Sequence, residues 1–379
     1  MIRPICRRGV VWITKLCNIK CRFCYYLYEK NKKHTPIDSI NRTLRWFKDQ
    51  YHIEYVDITG GEPTIHPYIE RIVRFSNECG IKPTIITNAQ RTDVIEKLID
   101  IGLEDVLISI HGINDYYDKV VQKKGAFKNI EKTIEMLKKK NFTFRTNTTL
   151  TKYSCEGIDE IIDWLLNVKP RIVNLIAFNP HEGTLWAQKK VQDFQVSYTE
   201  MAKAAKKAID KLLKEGIWTN VRYLPLCFMK GYETYVCNFH QWQFDPYEWD
   251  CISGERFSRK EIEQLIKEAN SRKVFGYSND EKLRLYLMKK QTSVNAFVAV
   301  CKECANKDIC DGIYPQYLKS FGQKEFNPKK HFSIRELIAY GLLFRKLYKE
   351  KIEMKSVCDY VDKILKLDVI NGKKIKNII

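Results

Sequence analysis

No uninterrupted apolar stretch in this chain approaches the ~20 residues that a membrane-spanning helix needs, so a helical membrane protein is not expected. The first residues, Met1-Ile2-Arg3-Pro4-Ile5-Cys6-Arg7-Arg8, are basic but lack the apolar core and small-residue cleavage site of a secretory signal. The expected location is therefore cytoplasmic. No internal repeat beyond a βα rhythm and no low-complexity segment interrupts the 379 residues, a length that suits one large domain plus a smaller one. Acidic residues fall short as well. Against 65 Lys and Arg stand 46 Asp and Glu, and the net charge of +19 invites nucleic acid or another acidic partner. Much of the excess lies in Lys-rich stretches such as Lys138-Lys139-Lys140 and in the C-terminal tail, and no recognisable RNA module accompanies it. Nucleic acid is not the favoured partner.

Cysteine is the exception to these shortages. Thirteen thiols in a chain expected to be cytoplasmic point to metal or redox chemistry rather than a disulfide framework. Cys17, Cys21 and Cys24 form C-x3-C-x2-C shortly after the apolar run Val10-Val11-Trp12-Ile13. A tight loop of this spacing can turn three sulfurs toward one point. Structural zinc and ordinary iron–sulfur sites are usually closed by four protein ligands, whereas chemistry at a metal needs an open position. Core cysteines or part of a zinc knuckle remain the bland alternative on spacing alone.

Strand and helix signals alternate along the first half. Residues 10–14, 55–59, 84–88, 106–110, 143–150 and 172–178 read as strands, and helices are expected between them. Residues 39–52 carry apolar positions at helical spacing with Ser39 as N-cap, while Gly80 and Gly102 are expected to end helices. Strands recurring roughly every 25 to 35 residues with helices between them make βα units and a parallel sheet. Six units fit, fewer than the eight of a closed barrel. An amphipathic helix over 201–216 and a strand-like stretch over 219–224 follow; beyond Pro328 the pattern is helical and Lys-rich.

C-x3-C-x2-C with an aromatic before its last Cys, followed after the next strand by Gly60-Gly61-Glu62-Pro63, resembles the radical S-adenosylmethionine (radical SAM) enzymes. The resemblance covers roughly the first 225 residues and implies a partial (β/α)6 TIM-like barrel, α/β in class, with its site at the carboxyl ends of the strands. It implies that Cys17, Cys21 and Cys24 hold three irons of a [4Fe-4S] cluster, the fourth iron taking S-adenosylmethionine, which is cleaved to a 5′-deoxyadenosyl radical. Phe23 would shield the cluster, and Gly60, Gly61, Glu62 and Pro63 would meet the amino group of the cofactor. Asn88 resembles the middle of the family's Thr-Asn-Gly, although Ala89 stands where Gly is common. Ser109, Arg145 and Asn147 are expected as further cofactor contacts. For the last two a buried structural network would look the same. His111 stands where relatives carry Asp, and either faces substrate or caps its strand.

The later cysteines resemble the auxiliary-cluster extensions called SPASM and twitch domains. Cys301-x2-Cys304-x5-Cys310 precedes Asp311-Gly312, and Cys227 is the chosen fourth ligand, with Cys237 and Cys251 as alternates. A zinc knuckle is the competing reading. The aromatic stretch 238–249 either lines a substrate cavity or forms the small domain's core, and Asn179-Pro180-His181-Glu182 is a further candidate for substrate contact. The expected division is 1–225 radical SAM core, 226–326 auxiliary-cluster domain and 327–379 basic helical extension. The implied function is hydrogen abstraction from a peptide or a small polar, sugar-like substrate, with an auxiliary [4Fe-4S] cluster assisting oxidation. A reduced flavodoxin- or ferredoxin-type donor is the implied partner, and RNA modification is the alternative.

Overall fold

The computed structural model describes residues 8–51, 53–179, 193–237, 295–304, 307 and 310–328. Seven strands lie in chain order in one sheet: β1 (Arg8–Thr14), β2 (Tyr55–Gly60), β3 (Lys82–Thr87), β4 (Asp105–Ser109), β5 (Phe144–Leu150), β6 (Ile172–Ala177) and β7 (Trp218–Arg222). Every neighbouring pair is parallel. The connections are α1 (Ile37–Tyr51), α2 (Ile69–Glu78), α3 (Thr92–Asp100), α4 and α5 (Asn114–Val121, Ala126–Lys139), α6 and α7 (Lys152–Glu156, Ile158–Val168) and α8 (Tyr198–Lys214). The order leaves β1 and β7 at the two edges, so the sheet is an open partial barrel. Among the described residues no helix is long and apolar enough to cross a membrane.

The six expected units gain a seventh strand. A capping box between Ser197 and Glu200 starts α8, and Gly216, left-handed at φ 74°, turns the chain back after it. The crossover is therefore complete, and Trp218–Arg222 pairs with β6. Gly80 and Gly102 close their helices with φ of 67° and 98° as expected. α1 starts two residues before Ser39, because the Pro36 carbonyl already accepts the Ser39 and Ile40 amides. The aromatic stretch 238–249 and the helical extension beyond 328 lie outside the described residues.

The two faces of the sheet differ. Val11, Ile13, Val56, Ile58, Ile85, Val106, Ile108, Val173 and Leu175 point outward into the helix-covered core with residues such as Phe127, Ile130 and Leu137 of α5. Burying each of these large side chains stabilises the fold by roughly 1.5–3 kcal/mol. Register places Trp12 beside Thr59, Ile86 beside Leu107, Ser109 beside Asn147, and Thr149 beside Ile176 on the other face. Trp12, Thr59, Ile86, Ser109, Asn147, Thr149 and Ile176 are only partly buried within otherwise buried strands. The inner face is thus hollow toward the carboxyl ends, where the cysteine loop lies.

At the amino ends it is filled by charge. Arg8 donates to Asp57 (2.9 Å) and to the Thr84 hydroxyl (3.1 Å), while Arg145 reaches Asp57 (3.4 Å) and Asp105. Such a network needs all its partners, since an unpaired buried charge costs several kcal/mol.

Beyond β7, the described chain forms short 3-10 turns and one small helix, α9 (Pro315–Phe321). Tyr317 of α9 stacks on Tyr198 of α8, with ring centroids 3.6 Å apart, and its hydroxyl accepts the Tyr198 amide. Glu325 accepts from the amide and hydroxyl of Thr199. These bonds satisfy amides at the start of α8 and fasten the cysteine-rich segment to the barrel.

Candidate active site

Cys17, Cys21 and Cys24 sit on the loop that leaves β1, and α4 holds that loop in place. The Lys20 and Arg22 amides donate to the carbonyls of Val121 and Val120 (3.0 Å each), and Gln122 Nε2 donates back to the Lys20 carbonyl. The Cys24 amide closes the turn onto the Cys21 carbonyl at 2.9 Å. All three thiols are free. Burial pushes the Cys21 thiol well up, and the neighbouring Cys24 and Cys17 sulfurs push it further. Burial also raises Cys24. Cys17 keeps an edge open to solvent and is still pushed up, by the protein around it and then by the Glu62 carboxylate. Three thiols that resist ionising together suit a cationic metal group that shares their charge and displaces their protons.

The glycine pair lies tight against the cysteine loop. A Cβ on Gly60 would lie 2.2 Å from the Thr14 carbonyl oxygen, and one on Gly61 would lie 2.1 Å from that of Leu16. The Gly61 and Glu62 amides donate to those same carbonyls at 2.7 and 2.8 Å, which stitches the turn to the cysteine loop. Glu62 is fully buried and accepts from the Thr64 amide (3.0 Å) and hydroxyl (2.6 Å), the Thr87 hydroxyl (2.7 Å) and the Asn88 amide (2.8 Å). Burial raises its pKa against these four bonds. Pro63 opens the short turn that presents Thr64. Asn88 then reaches the loop, its Nδ2 lying 2.7 Å from Asn18 Oδ1 and 3.6 Å from Cys17 Sγ. Ala89 is left-handed at φ 57°, a conformation that Gly adopts at no steric cost.

Phe23 is buried against His111 and Phe178. Ser109 and Asn147 are register partners on the inner face, and Asn147 Oδ1 is enclosed with no hydrogen-bond partner among the described residues. The row continues through Asn174 and Asn220, whose side chains bond at 3.1 Å, with Trp218 Nε1 donating to Asn220. Sequence reasoning missed these two asparagines, although strand alternation from Asn147 signals them. Arg145 is a different case. It faces inward as expected, but near the amino end of β5, bonded to Asp57 and Asp105 and 1% exposed. The buried-network alternative describes it, and the structure does not bring it to the cofactor set.

Four of the later cysteines come together. Cys227, Cys301, Cys304 and Cys310 line one small cavity with Pro225, Leu226, Phe297, Ile313 and Phe326. Burial raises Cys227 strongly, and Cys310, Cys304 and Cys301 add to it in that order. Cys310 is pushed up to about 12, mainly by burial, while the Gly312 amide donates to its sulfur at 3.4 Å. Cys237 is elsewhere: it donates to Asn220 Oδ1 at 3.6 Å. Cys251 and residues 180–182 lie outside the described residues; Asn179 bonds Tyr198 and the Tyr223 carbonyl. Among the described residues no three His, Cys, Asp or Glu side chains close tightly enough for a single metal ion. Each cysteine set is coupled at longer range, and in a polynuclear cluster the thiolates bind different irons.

Residues 12–166 match the Radical SAM superfamily, and the chain carries a radical SAM domain there. Over 205 residues it is 26% identical to a "Probable GTP 3',8-cyclase" of Sulfurisphaera tokodaii, covering 53% of this chain and 64% of that one. The mycofactocin maturase MftC of Mycolicibacterium smegmatis is 27% identical over 164 residues, or 41% of this chain and 40% of the relative. This chain thus spans less than two thirds of either relative. Streptococcus suis SuiB bound to its precursor peptide SuiA shares the fold with a TM-score of 0.58 at 17% identity, over 85% of this chain and 75% of that one.

Proposed function

We propose that this chain is a radical SAM oxidoreductase that modifies a peptide or a small polar substrate, with a second, auxiliary cluster assisting the oxidation. The observation that carries the reading is the pair of thiol sets, three at the hollow end of the barrel and four in the enclosed cavity. Cys17, Cys21 and Cys24 would hold a [4Fe-4S] cluster, and Cys227, Cys301, Cys304 and Cys310 an auxiliary one. When bound, the first cluster and S-adenosylmethionine supply a 5′-deoxyadenosyl radical able to take hydrogen from an unactivated carbon.

The chain's own residues do the rest. α4 and the Gly60-Gly61 turn fix the cysteine loop, Glu62 fixes Asn88, and Asn88 reaches Cys17. Ser109 and Asn147, register partners on the inner face, would meet the cofactor. Both are neutral hydrogen-bonding groups, which suits a peptide amide or a sugar hydroxyl better than a charged group. Peptide is the favoured class, since SuiB holds one on the same fold and MftC is a maturase. The proposed division is 1–225 for the core, 226–326 for the auxiliary domain and 327–379 for the extension, with a reduced flavodoxin or ferredoxin as electron donor. The net charge of +19 keeps RNA modification as a second reading.

Anaerobic reconstitution followed by reduction tests this. About eight irons per chain and release of 5′-deoxyadenosine are expected, whereas about four would remove the auxiliary cluster. Iron without any cleavage of S-adenosylmethionine would sink the assignment. Salt-sensitive binding to bulk tRNA would favour the second reading.

A further inference from the structure

The cysteine loop has two faces. Ile19 and Phe23 are buried, and the Phe23 ring meets His111 and Phe178 at the carboxyl ends of β4 and β6. Lys20 and Arg22 alternate with them and are exposed. Their charges gather at the carboxyl end of α4, where Arg22 Nε donates to the Lys119 carbonyl at 3.1 Å and Gln122 Nε2 donates to the Lys20 carbonyl. Lys119 and Lys124 are exposed there as well, and Lys123 is partly exposed. The acid beside them, Asp118, is occupied, because its carboxylate accepts the Gly125 and Phe127 amides. Asp115 stands in the first turn, at the other end of α4. Among the described residues no carboxylate pairs with Lys20, Arg22, Lys119, Lys123 or Lys124. The negative end of one short helix offsets only a fraction of five positive charges. An anionic partner seated on this face removes the remaining repulsion.

We propose that this basic face, built from the cysteine loop and the end of α4, docks the acidic electron carrier that reduces the Cys17, Cys21 and Cys24 site, a small protein of the flavodoxin or ferredoxin class. The inference rests on the function proposed above, in which that site takes up one electron for each S-adenosylmethionine it cleaves. The reduced carrier gives up that electron and the cluster gains it, so no atom or proton has to cross the interface. Lys20 and Arg22 lie between the cluster's own ligands in sequence, so a carrier seated on them lies next to the acceptor. Charge complementarity sets the rate of such an encounter more than its final affinity. Nucleic acid, the other polyanion, would have to present its target on the Phe23 side, where the hollow end of the barrel lies.

The test compares reductants on the reconstituted full chain: dithionite, which needs no docking face, against a reduced flavodoxin and a reduced ferredoxin, both acidic proteins. Release of 5′-deoxyadenosine driven by a carrier should fall as salt rises. Lys20→Glu, Lys119→Glu and Lys124→Glu combined should slow the carrier-driven rate at low salt at least about tenfold, with the dithionite-driven rate within about twofold of wild type. An unchanged carrier-driven rate overturns the proposal, and tRNA binding lost in the same variant would then give the face to nucleic acid. Wild type that responds to dithionite but to neither carrier also overturns it. If the triple variant loses iron or dithionite-driven cleavage, Lys119→Glu with Lys124→Glu leaves the cysteine loop untouched and should still slow the carrier-driven rate at least about threefold; no slowing there overturns the proposal. Wild-type protein that releases no 5′-deoxyadenosine even with dithionite defeats the reading of the whole site instead.

Discussion

The two cysteine sets are built on opposite principles. Cys17, Cys21 and Cys24 lie on one short loop, and their support comes from far along the chain: α4, the Gly60-Gly61 turn, and Glu62 with Asn88. The other set is gathered from Cys227 and from a separate stretch, 301–310, around a cavity walled by Pro225, Leu226, Phe297, Ile313 and Phe326. One set is three thiols beside polar groups at an open barrel mouth; the other is four thiols in a small cavity lined mostly by apolar side chains, with Lys307 beside them. Three leave a coordination position for chemistry, and four leave none. On the proposed function, the first set would carry the substrate chemistry and the second would handle electrons.

Breaking that comparison starts with its sulfurs. Any of Cys17→Ala, Cys21→Ala or Cys24→Ala should abolish release of 5′-deoxyadenosine while the far-UV spectrum stays that of the folded barrel. Cleavage surviving in one of them would end the division of roles. Cys227→Ser should remove about half of the iron while the first cluster's spectrum remains. Cys237→Ser should remove none, because that thiol bonds Asn220 on the barrel and is absent from the cavity of the four. Iron loss in Cys237→Ser instead would redraw the second set.

Much of this is legible in the amino-acid sequence alone. The thiol spacing, the glycine pair and the alternation of strand and helix are local patterns, and the partial barrel follows from them. Partners far apart in sequence were not legible. Arg145 alternates inward like Asn147, yet only the position of Asp57 and Asp105 shows that its charge is used at the amino end. Cys227 and Cys237 are equivalent by spacing, and only the paired segments separate them. The hold of α4 on the cysteine loop runs through backbone groups, which no side-chain pattern reveals.

Smaller effects sharpen the comparison from the first set's side. Glu62→Gln cannot accept all four donors that the carboxylate accepts, and its NH2 would face N–H groups. A loss of about 3 kcal/mol is expected by urea denaturation, with the four-thiol set keeping its iron. Acid acts through His111. Its folded pKa of about 3 lies below the ordinary 6.5, so the unfolded chain binds the extra proton between those values. That contribution is complete above about pH 6.5 and is lost as pH falls toward 3, at up to about 1.4 kcal/mol per unit. Burial also lowers His66 and adds in the same direction, whereas Glu62, raised in the fold, opposes both until its unfolded value is passed. Stability of His111→Leu measured from pH 6.5 to 5 should therefore fall less steeply than wild type; equal slopes would remove His111 from the acid response.

Ala89 carries the smallest expected effect. Its left-handed φ of 57° costs an L-residue roughly 1–2 kcal/mol. Its backbone is pinned from both sides, the amide donating to the Thr87 hydroxyl at 3.1 Å and the carbonyl accepting from Thr133 at 3.0 Å. Ala89→Gly relieves the strain but adds roughly 0.5–1 kcal/mol of chain entropy to be lost on folding and gives up a fully buried methyl worth roughly 0.8 kcal/mol. These terms nearly cancel, so the change should lie within about 1 kcal/mol of wild type by thermal unfolding. Ala89→Val has no such offset, since a branched side chain in that conformation is a true outlier, and it should destabilise clearly more. Equal behaviour of the two variants would mean that the turn beside Asn88 is not held left-handed, and the path from Glu62 to Cys17 would need another account.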